Sequence, residues 1–132
     1  MIAFDTNLLV RLVVTDEPSQ AAIVRNLISQ HTVFISRTVL LETEWVLRTV
    51  YKHKRPEILA FFRALIEVDN TEIENVEAVS QALDFYALGA DFADSLHLAV
   101  CGSAVMHTFD KSFCKAARVA GISPEINIIQ AN

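Results

Sequence analysis

The chain has 132 residues, 52% of them hydrophobic, with 16 Asp and Glu against 11 Lys and Arg and a formal charge of −5. That length suits one domain over residues 1–132 with a real core, and no apolar run approaches the roughly 18 residues a membrane span needs. The acidic balance argues against an ordinary nucleic-acid binder, because phosphate contacts need Lys and Arg, unless several acids are bundled in one metal site; two divalent cations would bring the charge to about −1.

The start lacks the basic, then apolar, then small-residue order of a signal peptide, so a cytoplasmic protein away from membranes is expected. Cys101 and Cys114 are too few for a disulfide framework and read as reduced core thiols. His31, His53, His97 and His107 show no Cys/His spacing of a zinc site.

Residues 2–4 read as a short buried strand ending on Asp5, and Thr6 or Asn7 can cap a helix running to about Val14. Thr15-Asp16-Glu17-Pro18 marks a turn, with Pro suited to a first helical turn. Ala21, Ala22, Val24, Leu27 and Ile28 then give helical spacing to about Gln30. Residues 32–35 are β-rich. Val39, Leu40, Val46, Leu47 and Val50 predict a buried helix from about Thr38 to Tyr51. Lys52-His53-Lys54-Arg55 is a solvated break, and Pro56-Glu57 opens a helix carrying Leu59, Phe61, Phe62, Leu65 and Ile66. Residues 71–74 are a weak edge-strand candidate. Asn75 can cap a helix to Leu88, with Gly89 as its stop. A further helix opens at residues 90–94 and carries Leu96, His97, Leu98, Val100 and Cys101. Residues 105–109 read as a strand ending on Asp110, residues 111–120 as a last helix stopped by Gly121, and residues 125–129 as a closing strand.

Strands alternating with helices imply parallel pairing through right-handed crossovers. The expected fold is α/β: a three-layer α/β/α sandwich around a central parallel sheet of about five strands. Two strands end directly on an Asp, where open α/β sheets form their ligand crevice.

Each acid has a structural alternative. Asp5 can cap the following helix, although Thr6 or Asn7 can do that instead. Glu42 sits among Val39, Leu40, Leu41 and Trp45, where an unpaired Glu is costly; the alternative puts it at a groove edge with Glu44 in water. Asp91 and Asp94 are spaced as an N-cap and its first-turn partner. Asp110 can cap the residues after it. His97, one turn after Asp94, reads as a core residue or a support to the acids rather than a ligand. Taken together, acids from separate elements suit hard cations, which bind oxygen, and paired cations assist phosphodiester cleavage. Asp5, Glu42, Asp94 and Asp110, with Asp91, could supply such a site. Their mutual repulsion makes it unstable when empty.

Four blocks in order carry a resemblance: Phe4-Asp5-Thr6-Asn7; Leu40-Leu41-Glu42-Thr43-Glu44; residues 91–99 from Asp91-Phe92-Ala93-Asp94 to Ala99; and Thr108-Phe109-Asp110-Lys111-Ser112-Phe113. The chain resembles the PIN domain family and, within it, the VapC-type toxins of bacterial toxin–antitoxin pairs. The resemblance implies a Mg²⁺- or Mn²⁺-dependent endoribonuclease. Asp5, Glu42 and Asp94 match the family's core acids and Asp110 its last acidic position. Thr6, Asn7 and Thr108 fall where relatives orient those acids or a water. Many relatives carry another acid two residues after the last one; here it is Ser112, leaving a second metal to bind weakly or to rely on Asp91. A homodimer and a small VapB-like antitoxin are the partners the resemblance implies. The expected mechanism is in-line hydrolysis of RNA, with metal on Asp5, Asp94 and Asp110, leaving a 5′-phosphate and a 3′-hydroxyl. Arg48, Lys52, Lys54 and Arg55 are candidates to guide the RNA backbone through phosphate contacts; a solvated turn is the alternative for that run.

Rival readings fit less well. HAD-type phosphatases want a second Asp two residues after the first, and position 7 is Asn. Receiver domains want an acidic pair after the first strand, and Thr6 follows Asp5. A non-enzymatic alternative is a partner-binding module of the same fold with an idle metal site, which Ser112 favours.

Overall fold

A computed structural model describes residues 1–131. The chain falls into two compact units, Met1–Val76 and the part from Glu77 onward.

The first unit runs β1 (Ile2–Ala3), α1 (Thr6–Val13), α2 (Pro18–Gln30), β2 (Val33–Ile35), α3 (Arg37–Thr49), α4 (Arg55–Ile66) and β3 (Thr71–Ile73). The strands pair in parallel in the order β1-β2-β3, with Ile2 opposite Val33 and Ile35 opposite Ile73. Each strand-to-strand connection passes through two helices, as parallel pairing requires a long crossover. Val33 and Ile35 are wholly buried, with Leu9, Val10, Ala21, Val24, Leu40, Leu47, Ile58 and Phe62 among the core residues of this unit. α1 packs on α2 and α3, and α4 packs on α3 and β3.

Local signals account for the helix ends. Ser36 Oγ accepts the Val39 N–H at 3.2 Å and lies 3.0 Å from Thr38 Oγ1, so α3 starts earlier than the expected Thr38. At α4 the Lys54 N–H donates to Glu57 Oε1 at 3.0 Å, a reciprocal cap just before Pro56. Asp5 Oδ1 accepts the Leu8 N–H at 3.2 Å, so Asp5 itself caps α1, and the expected caps Thr6 and Asn7 lie inside the helix.

The second unit carries most of α5 (Val76–Ala87), then α6 (Phe92–Ala99), β4 (Met106–Thr108), α7 (Lys115–Val119) and β5 (Ile126–Ile128). β4 and β5 pair in parallel, with Thr108 opposite Ile128. Its core gathers Phe85, Ala90, Leu98, Phe113, Cys114 and Ala117, with Met106 and Ile126 against them. Tyr86 meets Phe92 edge to face at 5.3 Å. Gly89 stops α5 in a left-handed conformation (φ +107°), as its position predicts. The expected helix over 111–120 shrinks to Lys115–Val119. Cys114 is left-handed (φ 45°), and the residues before it are turns tied back to Asp110. Both cysteines are free, Cys114 buried and Cys101 half-buried.

The fold is therefore α/β with parallel strands, as the sequence predicts. The five strands are hydrogen-bonded as a three-stranded and a two-stranded sheet. No helix of the described residues is long and apolar enough to cross a membrane.

Candidate acidic site

In the first unit, Asp5 stands at the exit of β1. One of its oxygens holds the α1 cap, and the residue is exposed. Thr6 behind it is buried and Asn7 is exposed. Asn7, Leu8 and Arg11 line one side of a cavity of about 370 Å³ against Ile23, Val24 and Leu27 of α2. Arg11 is held in that wall by Asp16 and by the Tyr51 hydroxyl at 3.3 Å.

The acids of α3 are distributed differently from the expectation. Leu40, Thr43, Glu44 and Leu47 follow helical i, i+3, i+4, i+7 spacing and form its buried stripe. Glu44 is only 2% exposed and takes Arg48 at both oxygens, Nε to Oε2 at 2.9 Å and Nη2 to Oε1 at 3.4 Å. Glu44 thus does not face water: it lies in the stripe, and Arg48 neutralises it. Glu42 lies off the stripe and is exposed. The spacing from Leu40 to Leu47 was the sequence signal that could have found the buried acid.

In the second unit Asp91 and Asp94 share the start of α6. Asp91 Oδ2 accepts the Asp94 N–H at 3.2 Å, and the Asp91 carbonyl accepts the buried Ser95 hydroxyl at 2.8 Å, so Asp91 caps α6 as its spacing predicts. Burial raises the Asp94 carboxyl above its ordinary value; the charges of Asp91 and Asp110 raise it further, and His97 acts the other way. His97 is exposed, not a core residue. The Cys114 thiol is pushed up to about 11, first by burial and then by the Asp94 charge.

Asp110, just past β4, is held from both sides. Its Oδ1 accepts the Ser112 hydroxyl at 2.7 Å and the Ser112 N–H at 2.9 Å, and its own N–H donates to Thr108 Oγ1 at 3.0 Å. The Ser112 hydrogen bonds, with a smaller contribution from Arg118, keep the Asp110 carboxyl below its ordinary range. Sequence reasoning treated Ser112 only as a missing acid; it is the residue that fixes Asp110.

The basic run divides as well. Arg48 is committed to Glu44, Lys54 and Arg55 begin α4, and Lys52 is exposed in the turn with φ 58°.

The donor chemistry suits a hard divalent cation: carboxylate oxygens, with repulsion around Asp94 that a cation relieves. Among the described residues no group of three or more His, Cys, Asp or Glu is placed to hold a metal ion. Residues 2–119 match a family model described as PIN domain. No curated protein matches the chain.

Proposed function

The chain belongs to the PIN domain family, whose members are generally nucleases, and we propose that this one is a Mg²⁺- or Mn²⁺-dependent endoribonuclease acting as the toxin of a toxin–antitoxin pair. Its substrate is single-stranded or structured RNA, cut by in-line hydrolysis. The observation that carries the reading is the family match over residues 2–119; the Asp94 carboxyl, raised by burial and then by the charges of Asp91 and Asp110, agrees with it. A bound cation would relieve the repulsion among these acids and so stabilise the fold.

Asp5, Asp94 and Asp110 would hold the ion, with Asp91 beside them and Glu42 completing the shell or placing the attacking water. A divalent cation bound there acidifies water and offsets charge on the phosphate. The remaining work belongs to the chain. Ser112 fixes one oxygen of Asp110, and Thr108 sets the backbone from which that acid projects. Asp91 anchors the first turn that carries Asp94. Thr6 and Asn7 support Asp5 at the start of α1. Glu42, exposed and unpaired with any basic group in α3, remains available to orient water. Lys52, Lys54 and Arg55 steer the RNA backbone, and Arg48 contributes with whatever charge Glu44 leaves unspent.

The two units act as one PIN-like domain in this reading, which the span of the family match supports. The protein would be cytoplasmic and homodimeric, silenced by a small VapB-like antitoxin. The non-catalytic alternative, a partner-binding module with an idle metal site, draws on Ser112 standing where an acid is expected.

Expression of the wild-type chain alone arrests growth in this account, Asp94→Asn relieves the arrest, and co-expression of an antitoxin-like protein encoded immediately upstream does the same. Normal growth with folded wild-type protein present would support the binding module instead.

A further inference from the structure

The second unit buries Phe85, Phe92 and Phe113 but leaves Phe109 68% exposed, directly before Asp110. β4 ends at Thr108, whose carbonyl accepts the Ile129 N–H at 2.8 Å. That bond brings the segment after β5 alongside Phe109. Phe109, Lys111, Ile129, Gln130 and Ala131 line a cavity of about 310 Å³, at the small end of the range for small-molecule sites.

We propose that this cavity is a nucleotide subsite in which one unpaired RNA base stacks on the Phe109 ring, Lys111 meets an adjoining phosphate, and Gln130 reads the base edge. The proposal rests on the ribonuclease reading above and extends it to a substrate position flanking Asp110. Three kinds of chemistry coincide in one small cavity. An exposed aromatic face suits any base and is tolerant of sequence. The Gln130 amide offers both donors and an acceptor. The Lys111 ammonium has no side-chain partner among the described residues, and a chain of net charge −5 needs local cations to approach a phosphate backbone. Lys111, the charged residue of this lining, therefore suits one phosphate beside a base stacked on Phe109. A second copy of the chain is a poorer occupant: a stable interface buries about 800 Å² per partner, whereas the exposed apolar surface here comes from Phe109 and Ile129.

Steady-state cleavage of a fluorescein-labelled single-stranded RNA in Mg²⁺ tests the subsite. Phe109→Ala and Phe109→Leu should each raise KM about tenfold, the scale of one lost base stack, with kcat little changed, while Phe109→Trp keeps the wild-type KM. Leu retains apolar bulk and removes the π-face, so it separates stacking from general packing. An otherwise identical RNA carrying abasic positions should raise the wild-type KM by a similar factor and add little to that of Phe109→Ala. Circular dichroism confirms that the variants fold. An unchanged KM in Phe109→Ala, with wild type cutting normally, overturns the subsite alone. A change of oligomeric state on size-exclusion chromatography without a change in KM overturns it in favour of a second copy. Wild-type protein that cuts no RNA removes the ribonuclease reading and the subsite together.

Discussion

Ser112 grips Asp110 through two hydrogen bonds to the same carboxylate oxygen, its hydroxyl at 2.7 Å and its N–H at 2.9 Å. The acid that the family resemblance expects two residues after Asp110 is replaced by a residue that orients Asp110 and stabilises its charged form. Charge is thereby exchanged for position. Ser112→Ala removes the hydroxyl bond and keeps the backbone one, so the Asp110 carboxyl should rise toward its ordinary value in an NMR titration. RNA cleavage should fall by about tenfold, the lower end for residues that orient a metal ligand. Ser112→Asp should tighten divalent-ion binding in calorimetry.

Asp5 caps α1 and, in the proposed site, also holds the ion; substitutions can separate the two. Asp5→Asn keeps an oxygen to accept the Leu8 N–H, because Asn is as good an N-cap as Asp. It should abolish cleavage while leaving the melting temperature unchanged or raised without metal. Asp5→Ala should also abolish cleavage and, in addition, lose about 1 kcal/mol of stability. Full activity in Asp5→Asn would leave Asp5 as a cap and nothing more.

The Asp94 carboxyl lies above its ordinary value in the folded chain, first through burial and then through Asp91 and Asp110. Its ionised form is therefore disfavoured by folding. That cost is absent well below the unfolded value, about 3.9, and is complete once pH exceeds the folded one. Asp94→Asn should raise the metal-free melting temperature at pH 7 by ~2–4 °C, with solvent screening of a partly exposed group included. Added Mg²⁺ should stabilise wild type and leave Asp94→Asn unmoved. Scanning calorimetry with and without Mg²⁺ checks both.

Glu74 gives the opposite sign. Its Oε1 accepts the Arg37 N–H at 2.9 Å and Arg37 Nε at 3.2 Å, which holds its carboxyl below the ordinary value. The resulting stability is fully present above the unfolded value, about 4.3, and is lost as pH falls through the folded one. Glu74→Gln should cost ~0.5–1 kcal/mol at pH 7, as for a half-exposed pair, and almost nothing at pH 2.5. Urea melts at the two pH values measure the difference.

What the sequence made legible was the local chemistry of element ends. Asp91 three residues before Asp94, Gly89 after an apolar helix, and Pro56 with Glu57 after a basic turn each imply a bond or a backbone conformation that needs only neighbours along the chain, and each was found. The family match bears out the PIN resemblance. Positions decided by tertiary packing were less legible. Glu42 and Glu44 are both acids in an apolar helix, and only the stripe through Leu40 and Leu47, with Arg48 one turn on, decides which one is buried. The exposure of Phe109 depends on where β4 ends and what pairs with it, and no local pattern records that. Ser112 reads as a loss when set against an acidic motif and as a gain only when its two hydrogen bonds are seen.

The central claim, a divalent-metal ribonuclease built on Asp5, Glu42, Asp94 and Asp110, is tested most directly by incubating purified protein with single-stranded RNA in Mg²⁺ or Mn²⁺ and in excess chelator. The account predicts fragments with 5′-phosphate and 3′-hydroxyl ends in either metal, no cleavage in chelator, and none from Asp94→Asn under any condition. Equal cleavage in chelator, or undiminished cleavage by Asp94→Asn, would contradict it.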